Sequence, residues 1–356
     1  MNITIIGGGS IGTLMSAEFS LEGAHNITLY ASEHECRENI ISVYNSCENL
    51  LFKGRVNLIT YDLKLAVSRS DVIFITYPAS MLRELAEKMF PFVRSGQKIG
   101  FVPGSGGAEF YFRNYIKKGC ILFGLQRVHS IARIKERGKS VYALGRKDRL
   151  FACTSPGSQG KQTAEMLESL FKIPCCDLGA YLNLTLTPSN PILHTSRLYS
   201  LFSDYSKDRY YPENFLFYES WSDKASEIML ECDSELQELC RTINEIDLRG
   251  VRSLKEHYES NTAAEMTNKI RSITAFKGLP SPMKQCSCGW YPDFESRYFT
   301  SDFPFGLKII IDIAKLFDVD TPCMNKIWNW YIGISGNKNF FVLPVATQNE
   351  FLSIYL

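Results

Sequence analysis

The N-terminus constrains the fold of this chain most. Residues 2–6 (Asn-Ile-Thr-Ile-Ile) are short and β-branched, and Gly7-Gly8-Gly9-Ser10-Ile11-Gly12 follows at once. Behind the glycines, Ile11, Leu14, Met15, Phe19 and Leu21 recur at near-helical spacing until Gly23, and a second apolar run occupies residues 27–30. Strand, tight turn, helix and strand within about thirty residues have the size of a mononucleotide-binding half. In G-x-G-x-x-G the first glycine makes the turn, the second admits a pyrophosphate close to the backbone, and the third lets helix pack on strand. The opening turn of the helix supplies free N–H groups and a positive dipole for phosphates. These residues therefore predict a nicotinamide dinucleotide held on Gly7, Gly9, Ser10, Ile11 and Gly12, with Pro78, just after the apolar run 71–76, among its contacts. A purely structural glycine turn is the alternative, and the flanking strands and helix argue against it.

The end of the second strand should carry the residue that reads the adenosine ribose. There the chain has Ser32-Glu33-His34-Glu35-Cys36-Arg37. Ser32 with Arg37 would accept a 2′-phosphate, whereas Glu33, shifted by one, would serve NAD. The cofactor is thus NADP or NAD, with a lean to NADP.

Further buried-strand runs at 71–76, 98–102, 120–124 and 140–144, alternating with helical stretches, predict an α/β fold with a doubly wound parallel sheet. The 98–102 run ends in Pro103-Gly104-Ser105-Gly106-Gly107, and the loop at 156–160 precedes a helical run at 163–171. The pattern fades near residue 180, and helical periodicity dominates from Pro188 onward. Two domains are expected, a Rossmann-type domain over 1–182 and a mainly α-helical domain over 183–356. A length of 356 residues agrees with two cores.

With 39 basic and 38 acidic residues, the chain has no net electrostatic pull toward nucleic acid. Eleven cysteines without regular spacing point to reduced thiols, hence a cytoplasmic protein, and no metal site is expected. Cys175-Cys176 and Cys286-Ser-Cys288 lack zinc-ligand spacing. No apolar stretch has membrane-spanning length, and glycines break the first apolar run too early for a signal sequence. The cluster Trp328-Asn-Trp330-Tyr331 reads as packing, Asp233-Ser-Glu235 as a solvated helix face, and His129 as a solvent-facing loop residue.

Three segments in the second half narrow the chemistry. Thr187-Pro-Ser-Asn190-Pro-Ile-Leu-His194, Asn214-Phe-Leu-Phe-Tyr218-Glu219 and Arg297-Tyr-Phe-Thr-Ser-Asp302-Phe-Pro304-Phe-Gly306 together resemble the octopine/opine dehydrogenase family. The likeness extends through residues 103–107, 132–139 and 314–322. It implies an NAD(P)H-dependent reductive condensation of an amino acid with a 2-keto acid such as pyruvate, giving a secondary amine. It also implies roles: His194 is the acid/base, Asp302 orients and polarises it, and Arg297 grips a substrate carboxylate. Histidine suits the first role because its ordinary pKa of about 6.5 permits proton exchange near neutrality. Asn190 either bonds the nicotinamide or substrate or builds a turn.

The resemblance has one departure. Arginine-using members carry glutamate where Gln126 stands and cysteine where Ala132 stands, so Gln126 predicts a substrate pocket without the charge that a guanidinium requires. The partners expected are small molecules, an amino acid and a 2-keto acid; homodimerisation stays open. Two rivals remain: a ketopantoate-reductase-like or hydroxyacid dehydrogenase, which would use a lysine acid, and a non-catalytic NAD(P) sensor. The histidine, arginine and aspartate set speaks against both.

Overall fold

A computed structural model of the chain describes residues 1–31 and 38–356. Ser32 and Arg37, which carry the expectation about the 2′-phosphate, lie outside the described residues. The chain divides into two compact units, residues 1–184 with Tyr355 and residues 185–354 with Leu356.

The first unit contains β1 (Asn2–Ile6), β2 (Asn26–Tyr30), β3 (Ile40–Tyr44), β4 (Leu50–Arg55), β5 (Leu58–Thr60) and β6 (Val72–Ile75). It continues with β7 (Lys98–Phe101), β8 (Ile121–Leu125), β9 (Ser130–Glu136), β10 (Ser140–Arg146), β11 (Leu150–Ser155) and β12 (Cys175–Ala180). Eight of them form one sheet in the order β12-β11-β8-β7-β6-β1-β2-β5. From β8 to β5 every neighbour is parallel, while β11 runs antiparallel to β8. Ile3, Ile5, Val72 and Phe74 enter the core on one face; Ile6, Ile73, Ile75, Ile99 and Phe101 enter the core on the other. A sheet covered on both faces needs continuous apolar runs instead of alternation, so these strands are visible in the sequence.

The run at 140–144 belongs elsewhere. As β10 it lies in a second sheet of order β4-β3-β10-β9, paired in parallel with β3 from far earlier in the chain. This sheet covers the outer face of the first helix, Ser10–Phe19, of whose ten residues seven are buried. Gly54 of β4 shows how close the approach is: a Cβ there would lie 2.3 Å from the Ala17 carbonyl oxygen. Ala132 lies in the same core.

That second layer overturns the solvent-facing reading of His129. The imidazole is fully buried, with Nε2 2.7 Å from Glu18 Oε2, and Arg146 donates to the other Glu18 oxygen at 2.9 Å. Glu18 would be a solvated residue on a two-layer domain. The added sheet turns it into an anchor.

The second unit is helical apart from a hairpin of Met283–Cys286 with Gly289–Pro292. Its central helix, Asp223–Thr242, starts where the Ser222 side chain accepts the Ala225 N–H. It packs on the helices Thr195–Phe202, Ala263–Ser272 and Pro322–Ser335. The reading of Asp233-Ser-Glu235 as a solvated face is also corrected. Asp233 Oδ2 accepts the N–H of Leu254 at 2.8 Å, and Glu235 accepts those of Cys323 at 2.6 Å and Met324 at 3.0 Å. Each carboxylate thus meets the unpaired N–H groups that open another helix. Burial pushes the Asp233 carboxyl up to about 6.

The aromatic cluster packs as expected. Tyr331 stacks on Phe303 at 4.4 Å between ring centroids, and Trp330 stands edge-on to Tyr199 at 5.3 Å. This wall backs the segment that carries Asp302.

Candidate active site

In the first unit the glycine turn has the stereochemistry its spacing demands. Gly7 sits at φ +117°, where an L side chain is strained, and a Cβ on Gly12 would lie 1.8 Å from the Gly7 carbonyl oxygen. Thr76, at the end of the neighbouring β6, donates its hydroxyl to the carbonyls of Ile6 and Gly7 and holds the turn down. Gly9 differs, because a Cβ there would meet nothing within 4 Å. Its small size serves no packing inside the fold, which fits a backbone kept bare for a ligand. Gly9 caps the helix without a side-chain bond, and the first turn, which begins with Ser10 and Ile11, carries no acid. Uncapped N–H groups without a competing carboxylate are what a pyrophosphate requires. Tyr77 lies against Gly7, and Pro78 is exposed after it, at the same end of the parallel pair β1 and β6. The residues present fit a dinucleotide.

In the second unit His194 and Asp302 occupy two π-helical segments, Ser189–His194 and Tyr298–Leu307. Each segment contains a proline, Pro191 and Pro304, which removes an N–H and displaces a carbonyl from the i→i−4 ladder. Wide turns take up the mismatch, and such turns gather at functional sites. The Thr195 hydroxyl donates to the Pro191 carbonyl at 2.6 Å. Gly306 lets the segments touch, for a Cβ there would lie 3.1 Å from Pro191 Cγ.

The result is a short polar chain in an aromatic setting. His194 Nδ1 lies 2.8 Å from Asp302 Oδ2, and Nε2 lies 3.0 Å from the Tyr218 hydroxyl. His194 is buried, and the rings of Phe217 and Tyr298 lie 5.6 Å and 4.8 Å from it. Asp302 fixes the proton of a neutral imidazole on Nδ1, which leaves Nε2 to exchange protons. Arg297 is exposed at the start of the Asp302 segment, and its charge partly offsets the rise that burial gives the Tyr218 phenol pKa. Asn190 is exposed on the His194 segment, one turn ahead of it. Gln126, in the first unit, is half-buried at the end of β8, with its N–H on the Phe151 carbonyl at 2.8 Å.

Two contributors have no role in the sequence reading. Tyr218 stands inside the second family motif, and that was its only signal. Arg197 gave none: one turn after His194, it is fully buried, and its bonds go to carbonyls. Its Nε donates to the Phe217 carbonyl and its Nη2 to the Ser220 carbonyl, both at 2.8 Å, so the guanidinium fork clamps the loop that carries Tyr218. Burial, with Arg271 nearby, pulls the Arg197 pKa down to about 10.

A glycine turn built for a dinucleotide and a separate helical unit with a histidine–aspartate pair define an NAD(P)-dependent oxidoreductase. Comparison with known proteins specifies which. Residues 178–335 match the model of the NAD/NADP octopine/nopaline dehydrogenase α-helical domain, and residues 2–100 match that of NADP oxidoreductase, coenzyme F420-dependent. Tauropine dehydrogenase of Arabella iricolor is 26% identical over 367 residues, covering 94% of this chain and 92% of its own. Opine dehydrogenase of Haliotis discus hannai is 28% identical over 304 residues, covering 80% and 74%. An octopine dehydrogenase structure with NADH and L-arginine superposes with a TM-score of 0.82 at 21% identity, covering 100% of this chain and 94% of that one. The chain is thus similar to the octopine/opine dehydrogenases along most of its length, and its second half matches the model of their α-helical domain. Among the described residues no helix is long and apolar enough to cross a membrane.

Proposed function

We propose that this enzyme condenses an amino acid with a 2-keto acid, pyruvate as the first candidate, and reduces the adduct to a secondary-amine dicarboxylate. The observation that carries the reading is the His194–Asp302 contact at 2.8 Å, which fixes Nδ1 and leaves proton exchange to the Nε2 side of the imidazole. The amine adds to the keto carbon, and the carbinolamine then loses water as its hydroxyl leaves with a proton supplied through His194. Asp302 stabilises the imidazolium that precedes this transfer. Arg297 binds a substrate carboxylate through its planar fork, and Asn190 orients the nicotinamide or the adduct. Gly7, Gly9, Ser10, Ile11 and Gly12, with Pro78, hold the dinucleotide, which when bound supplies the hydride.

Gln126 assigns the amine donor to amino acids other than arginine, because a neutral amide offers a guanidinium no countercharge. The dinucleotide is NADP or NAD. One plate tests the whole reading: NADH or NADPH against several 2-keto acids and twenty amino acids, followed at the nicotinamide absorbance. Turnover that needs both an amino acid and a keto acid supports it. Oxidation with a keto acid alone moves the enzyme to the hydroxyacid dehydrogenases.

A further inference from the structure

Both nitrogens of His194 are engaged, Nδ1 by Asp302 and Nε2 by the Tyr218 hydroxyl at 3.0 Å. The nitrogen left for chemistry therefore has a phenol in front of it. That phenol is held firmly. Its ring stacks on Phe276 at 4.0 Å between centroids and 16°, lies parallel to Trp221, and follows Phe217, whose carbonyl is clamped by buried Arg197. The Phe217 N–H is itself fixed on the Leu279 carbonyl at 2.7 Å. A ring stacked on Phe276, beside Trp221, and tied at its backbone cannot swing away without dismantling this loop.

We propose that Tyr218 is a catalytic residue, the terminal donor of a proton relay that runs from His194 through the Tyr218 hydroxyl to the substrate. The inference rests on the condensation reading above. In the dehydration step the Nε2–H bond of protonated His194 breaks and an O–H bond forms on Tyr218. The original Tyr218 O–H bond breaks and its proton passes to the departing hydroxyl. The carbon–oxygen bond breaks with its electron pair going to oxygen, the nitrogen lone pair closes the C=N bond, and water leaves. Tyr218 ends with one proton, as it began, and His194 ends neutral. Burial, followed by the neighbouring Tyr298, Tyr258 and Asp302, holds the phenol well above its usual pKa. The hydroxyl thus passes a proton on without dwelling as phenolate.

The test uses the full-length enzyme with the amino acid and keto acid pair that wild type turns over. Tyr218→Phe keeps the ring and removes the relay. The expected result is a fall in the single-turnover rate of about 100-fold or more, the scale of a lost acid–base group, with dinucleotide fluorescence titration unchanged. Rates in mixed light and heavy water separate relay from packing. Wild type should give a bowed dependence on deuterium fraction, from two protons in flight, and Tyr218→Phe a linear one. Replacement of Tyr218 by 3-fluorotyrosine keeps the hydroxyl, and should retain turnover and the bowed dependence even if the Phe variant folds poorly. A Tyr218→Phe rate within about two-fold of wild type, or a linear dependence in wild type, overturns the relay and leaves the condensation reading standing. Wild type inactive on every pair overturns both.

Discussion

Asp302 and His194 stand 108 positions apart in the chain and 2.8 Å apart in space, each on a π-helical turn that contains a proline. The pair makes the tautomer of His194 a consequence of one carboxylate. Asp302→Asn replaces an acceptor with a group that can donate, so the imidazole loses the fixed proton on Nδ1 and the countercharge for its cationic form. We expect kcat to fall by about 10²- to 10⁴-fold, with the dinucleotide dissociation constant unchanged. Steady-state kinetics beside a fluorescence titration check both.

The glycines of the turn predict two different failures. Gly12→Ala drives a Cβ into the Gly7 carbonyl, so overpacking of about 1–3 kcal/mol should lower the melting temperature. Gly9→Ala meets nothing within 4 Å, so the fold should melt as wild type does while dinucleotide affinity falls about tenfold or more. Calorimetry and NAD(P)H titration on the two variants separate packing from ligand approach. Equal affinity for Gly9→Ala and wild type would remove Gly9 from the binding site.

Gln126 predicts donor choice. Gln126→Glu adds a carboxylate that can pair with a guanidinium, so kcat/KM for arginine should rise about tenfold relative to neutral amino acids. Competition between arginine and the best wild-type donor measures the ratio. A wild-type enzyme that already prefers arginine would sink the assignment.

Asp233 predicts a pH dependence of stability. Burial raises its folded carboxyl from 3.8 to about 6. Its contribution is therefore fully present below about pH 4, is lost as pH rises through about 6, and stays lost above. Asn in its place still accepts the Leu254 N–H without a charge to bury, so Asp233→Asn should flatten that part of the profile. The destabilisation of wild type across this window is roughly 3 kcal/mol at most. Urea melts at pH 4.5 and pH 7.5 should show wild type losing more stability between them than the variant.

Local pattern determined much of this protein. A β-branched strand followed by G-x-G-x-x-G specifies the turn because only glycine tolerates the Gly7 conformation and the Gly7–Gly12 contact. Continuous apolar runs announced the sheet because both of its faces are covered. His194, Asp302 and Arg297 were legible only through motif likeness, since nothing in the spacing of residues 108 apart says that they meet. Tertiary structure decided the rest. The second sheet depends on the pairing of β3 with β10, a non-local contact with no local signature, and that sheet buries His129 against Glu18. Asp233 and Glu235 look solvated on one helix until the openings of two others arrive with unpaired N–H groups. Tyr218 faces His194 because a buried arginine and a stacked ring hold its loop, contacts that exist only once the helices have packed.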